Sequence, residues 1–148
     1  MRKPPFPMPN HKWTIEIPIY EYTLVVYTGD DVLSAITHYK LESYIDDHTL
    51  DAIYSDKVGG LAVSTKDELA IIVPLDVPAS VLAHEATHII NFIFDEIGYE
   101  TRPDNDESFT YFLTWLLDQI EDKLATKRTT TSAKKKKNKP SKQRVRNH

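Results

Sequence analysis

The chain contains no cysteine. That excludes a disulfide framework, a thiolate metal site and a thiol nucleophile, so any metal must be held by His, Asp or Glu. Glycine is scarce too, four in 148 residues, and neither a Gly-rich phosphate loop nor a Gly-x-Ser-x-Gly nucleophile elbow occurs. No apolar run approaches the roughly 20 residues of a membrane-spanning helix. The opening "MRKPPFPMPNHKW" is positively charged but lacks the apolar stretch of a secretion signal. These absences lead to the expectation of a cytoplasmic protein without membrane contact. The length suits one domain with a substantial core.

Charge is also missing, by sign, from one end. Of 18 Lys and Arg, ten lie from Thr126 onward, where there is no acidic residue; eight remain against 22 Asp and Glu before it. The head is thus −14 and the tail +10. The tail, "TKRTTTSAKKKKNKPSKQRVRNH", has too few apolar residues to support a packed core. We expect three segments: an irregular Pro-rich leader over residues 1–12, a folded domain over 13–125, and a disordered basic tail over 126–148.

Within the domain, Ile15, Ile17 and Ile19 alternate with Thr14, Glu16 and Pro18, which is strand periodicity, and Pro18 marks a bend between two strands. Asp30 or Asp31 can cap a helix running to about Tyr44. Residues 45–57 read as acidic and irregular. Residues 59–75 read as a β-hairpin turning at Lys66-Asp67-Glu68. Pro78 opens a helix to about Glu96, closed by Gly98, and a last helix spans about Asn105–Leu124. Strands, helix, hairpin, helix, helix predict an α+β domain.

The stretch "SVLAHEATHIINFIFDEIG", Ser80 to Gly98, carries the chemistry. On a helical wheel, Leu82, Ala86, Ile89, Ile90, Ile93 and Ile97 fall between about 140° and 240° from His84, a core face. His84, His88 and Asp95 fall within about 40° of one another on the opposite side, with Glu85 near 100°. Imidazoles at i and i+4 can share one zinc ion, and the intervening glutamate stands where a general base would meet water.

Catalytic zinc normally takes three protein ligands. Glu107, with eighteen residues between it and His88, lies on the next helix. There Phe109, Phe112, Leu113, Leu116, Leu117, Ile120 and Leu124 form the core stripe, and Glu107, Tyr111 and Asp118 share the opposing side. Glu107 is a candidate third ligand; alternatively, Asp104 and Glu107 have capping-box spacing. Asp104 or Asp106 can orient an imidazole, or simply suit the helix dipole. Tyr111 and Trp115 can border the cleft or pack. His11, His38, His48 and His148 have no paired spacing.

"HEATH" followed by "DNDESFTYFLTW" resembles the gluzincin zinc metallopeptidases, and most of all their very small versions encoded by bacteriophages and prophages. The resemblance covers about Ser80–Leu117. It implies a small zincin-like domain that cleaves a protein or peptide substrate, with His84, His88 and Glu107 as Zn²⁺ ligands and Glu85 as general base. It also implies an edge strand along which the substrate pairs, somewhere in Leu69–Leu75. The chain departs from larger gluzincins in having no substantial second domain and no recognisable downstream His or Tyr for the oxyanion. Two other expectations stand beside it. One is a non-catalytic zinc-stabilised interaction module, whose tail over 126–148 binds nucleic acid or an acidic partner. The other is an accidental motif on a small nucleic-acid-associated protein.

Overall fold

The computed structural model describes residues 8–55, 58–66 and 68–137. Pro4, Pro5 and Pro7 of the leader, Asp67 of the expected turn and residues 138–148 of the tail lie outside the described residues. The fold is α+β, as the element order predicts. Strands β1 (His11–Ile17) and β2 (Tyr22–Gly29) pair antiparallel, Ile15 opposite Leu24. Then come helices α1 (Val32–Tyr39) and α2 (Asp47–Tyr54), and strands β3 (Leu61–Ser64) and β4 (Leu69–Pro74). Helices α3 (Ala79–Glu96) and α4 (Glu107–Lys137) complete the described chain.

The sheet order is β1-β2-β4-β3, with β2 and β4 parallel and the outer pairs antiparallel. Ile15, Ile17, Leu24, Val26, Leu69, Ile71 and Val73 pack against α3 and α4 on one face. Val25, Tyr27, Ala70 and Ile72 share a second core with Val32, Ala35 and Ile36 of α1 and Ile53 of α2. A strand covered on both faces reads as an unbroken apolar run, hence "LAIIV" in β4. Because β4 is flanked by β2 and β3, the Leu69–Leu75 segment is no edge. The edge next to it is β3, since the hairpin folds back on the outer side.

Asp31 caps α1, its carboxylate accepting from the Ser34 N–H at 2.7 Å. The helix expected to reach Tyr44 stops at Tyr39, because Lys40 turns left-handed at φ 57°. Leu41 N–H then bonds back to the Ile36 carbonyl, and a 3₁₀ turn follows at Glu42–Tyr44. Residues 45–57, expected irregular, contain α2. Asp46 caps it, accepting from Thr49 N–H at 2.8 Å and from the Thr49 hydroxyl at 2.7 Å. Little of α2 is buried beyond Ile53, so its apolar period is too thin to read.

The larger difference is α4. Expected to end near Leu124, it continues to Lys137, so the first twelve residues of the expected disordered tail, Thr126–Lys137, are helical. Thr126, Thr129, Thr130 and Thr131 turn their hydroxyls back to carbonyls four residues earlier, so these hydroxyls are satisfied within the helix itself. Thr131 is buried. Arg128 reaches the β4–α3 connection, Nε donating to the Leu75 carbonyl at 2.7 Å and a terminal nitrogen to the Val77 carbonyl at 3.3 Å. Its contact with Glu121 is a marginal 4.0 Å.

We therefore expect Arg128→Ala to lower unfolding free energy by about 1–3 kcal/mol, because two carbonyls lose a charged donor, and Arg128→Lys to restore little. The measurement is a chemical denaturation midpoint. His11, at the start of β1, has its pKa held below the usual imidazole value by burial first, then by Lys127 and Lys134 of α4. A depressed imidazole pKa means the folded state binds the proton less tightly than the unfolded chain. Its stabilising contribution is present above about pH 6.5, the unfolded value, and is lost as pH falls through that range. Melting temperature measured from pH 8 to 5 should fall less in His11→Gln than in the wild type.

Candidate metal centre

Helix α3 opens at Pro78, whose carbonyl accepts from Val81 N–H and Leu82 N–H at 3.1 Å. Leu82, Ala86, Ile89, Ile90 and Ile93 are fully buried against the sheet. Ile97, expected on the same face, is the C-cap residue and exposed, because the helix ends before the sheet can cover it. With that face fixed, His84 and His88 must point outward, and both are exposed.

The two imidazoles come together. His84 Nε2 and His88 Nε2 stand 3.1 Å apart, their rings at 80° with centroids 4.7 Å apart. Without a metal, one nitrogen must carry hydrogen and the other a lone pair. Two nitrogens each about 2.0–2.1 Å from a tetrahedral ion would be about 3.3 Å apart, so the observed separation is close to that of a chelating pair. Phe92 stacks beside His88, with 6.5 Å between ring centroids.

Glu85 occupies the flank of α3 that faces β3 and is only 7% exposed. Burial raises its carboxyl above the usual range, while His84, His88 and the Ala62 backbone act in the opposite direction. A cleft of about 410 Å³ borders Glu85 and His84 and is lined further by Val58, Gly59, Gly60, Ser80 and Val81. Gly60 and Ala62 are the participants that sequence reasoning missed. The only signal was the "GG" ahead of β3, and nothing local says which helix it will meet.

Glu107 is the first residue of α4, exposed, and its carboxylate makes no hydrogen bond among the described residues, so the capping box is not formed. The loop before it is organised instead by Asn105. Its side chain accepts from Arg102 N–H and donates to the Glu100 carbonyl, while its own carbonyl accepts from the Tyr99 hydroxyl at 3.0 Å. Phe94 packs against Phe109 and Phe112 at 6.0 and 5.9 Å, which sets the start of α4 beside the last turns of α3. Phe94 lies six residues, about 9 Å of helix rise, beyond His88. Among the described residues, no group of three His, Asp or Glu side chains is disposed to hold a metal ion.

Asp104 and Asp106 lie exposed in the turn before α4, bonded to neither imidazole. Tyr111 is 71% exposed and lines a different groove, of about 390 Å³, with Pro18, Ile19, Ser108 and Trp115. Compared with known proteins, the chain matches no family model, no curated protein and no solved structure.

Titrating apo protein with zinc should give about one ion per chain and raise stability by about 2.7 kcal/mol at a hundredfold excess over Kd. His84→Ala and His88→Ala should each abolish that gain. Isothermal calorimetry and melting curves with and without chelator are the measurements.

Proposed function

We propose that this chain is a zinc-dependent peptidase of minimal gluzincin type, with His84 and His88 holding the metal and Glu85 as general base. We assign Glu107 as the third ligand on the resemblance. One observation carries the proposal: two exposed Nε2 atoms stand at chelating separation, and one of the two residues, His84, shares a cleft with a glutamate that the fold has buried beside it. A lone pair of solvated histidines needs no such neighbour.

Each residue has a task that follows from its position. His84 and His88 would present the metal at the mouth of the cleft; a bound zinc ion supplies Lewis-acid polarisation of the scissile carbonyl and makes water acidic enough to attack near neutral pH. Glu85 takes the proton from the attacking water and returns it to the leaving amine. Strand β3 supplies the place for the chain being cut. Thr65 N–H bonds the Glu68 carbonyl at 2.9 Å, so the alternation of antiparallel pairing directs the backbone groups of Val63 towards β4 and those of Ala62 and Ser64 outward. An extended peptide laid along that edge would run past His84 and Glu85, and backbone pairing would bind it without demanding a particular sequence.

A second proposal is favoured by the lack of a third donor among the described residues. A pair of exposed imidazoles with no third ligand among the described residues can bind zinc completed by another molecule, as a non-catalytic interaction module. Glu85→Gln separates the two. It should keep zinc and fold but lower peptide hydrolysis by about 10²–10⁴-fold; a module should bind its partner unchanged. Glu107→Ala should weaken zinc binding if Glu107 is a ligand, and unchanged affinity would remove it from the site.

A further inference from the structure

We infer that Gly60 is the positioning residue for Glu85, and that its missing side chain is what allows the carboxylate to sit in the cleft. The inference rests on the peptidase proposal for its catalytic meaning. Its geometric content does not.

Gly60 is buried, in the turn that leads into β3. Its φ is not in the left-handed region; Gly98 is the glycine with positive φ among the described residues. Backbone freedom is therefore not why a glycine stands here, and the reason is space. A Cβ at position 60 would meet the Glu85 Cγ at 3.0 Å, the Val81 Cγ1 at 3.0 Å and the Val73 Cγ1 at 3.3 Å. Real Cβ atoms rarely approach so closely, so one neighbour must yield.

The neighbours differ in freedom. Val73 is a fully buried residue of an interior strand, held by β2 on one side and β3 on the other. Val81 is β-branched and stiff on its helix, and it lines the cleft. Glu85 has the longest and most flexible side chain of the three and borders open space. It is the group that would move, and its movement would carry the carboxylate off the flank next to Ala62. Gly59 makes a useful contrast, because a Cβ there reaches only Val81, at 3.8 and 3.9 Å.

The test compares the wild type, Gly59→Ala, Gly60→Ala and Gly60→Ala/Val81→Ala as full-length, zinc-loaded chains. Zinc stoichiometry, melting temperature and hydrolysis of a quenched-fluorescent peptide mixture are measured on each. Contacts at 3.0 Å require Glu85 to give by a few tenths of an ångström, whereas a misplacement of about 1 Å costs about 10²-fold in rate. Gly60→Ala should lose more than about threefold and up to about 10²-fold in kcat, with KM changed by less and zinc retained. Gly59→Ala, whose added Cβ reaches only Val81 at ordinary contact distance, should lose less in kcat and in melting temperature than Gly60→Ala. Adding Val81→Ala should restore neither melting temperature nor kcat, because the contact with Glu85 remains. Wild-type kcat in a folded Gly60→Ala chain, or recovery of kcat together with stability, would overturn the inference.

If the wild type shows no hydrolysis, the peptidase proposal fails, and the positioning contact is decided by melting temperature alone. Gly60→Ala should then destabilise the wild type by more than it destabilises Glu85→Ala, which lacks the Cγ. Equal shifts in the two backgrounds would show that no such contact exists.

Discussion

The rotation of α3 about its own axis is the constraint on which the proposed chemistry depends. Leu82, Ala86, Ile89, Ile90 and Ile93 have no exposed surface. Burying a Leu or Ile side chain is worth about 1.5–3 kcal/mol, so the four together supply on the order of 10 kcal/mol, an upper figure because unfolded chains are already partly collapsed. Turning the helix by one residue, about 100°, would forfeit most of that and bring His84 or His88 towards the sheet. The imidazoles point outward because the isoleucines must point inward. Four residues of spacing then bring the two rings together, and one residue of offset puts Glu85 on the flank where β3 passes.

That flank determines what Glu85 can be. A carboxylate in water would hold no proton near neutral pH; one pressed between α3 and an edge strand loses hydration, which favours its neutral form. Nearby imidazoles and the Ala62 backbone oppose that effect. The close fit at Gly60 follows from the same packing, since the turn into β3 must run under the helix at the height of Glu85 and Val81. Burial and chemistry are therefore set by the same few van der Waals contacts.

The long α4 ties the two ends of this layer together. Its N-terminal part meets Phe94 near the end of α3 through Phe109 and Phe112, and Arg128 holds the connection that leads into the start of α3. A basic segment that composition assigns to solvent thus closes the far side of the core. Lys127 and Lys134 stand close enough to His11 to lower its affinity for a proton. The positive charge from Thr126 onward is, in part, a structural feature.

Much was legible in the residues alone. The 3.6-residue period of Leu82, Ala86, Ile89, Ile90 and Ile93 predicted which way α3 faces, and with it the outward His84–His88 pair. Alternation at Ile15 and Ile17, the Asp31 cap, the 59–75 hairpin and the α+β class were readable for the same reason: they follow from local period and capping chemistry. Three features needed the tertiary structure. β3, rather than the segment preceding α3, became the edge because strand order depends on a crossover between distant segments, which no local pattern encodes. Helix α4 starts beside the last turns of α3 because the packing of Phe94 against Phe109 and Phe112 sets the register between the helices. Thr126–Lys137 is helical because Leu124 and Thr131 find a core and Arg128 finds two carbonyls more than fifty residues away in sequence. Composition weighs a segment's own apolar content, whereas a helix can also be held by what it reaches.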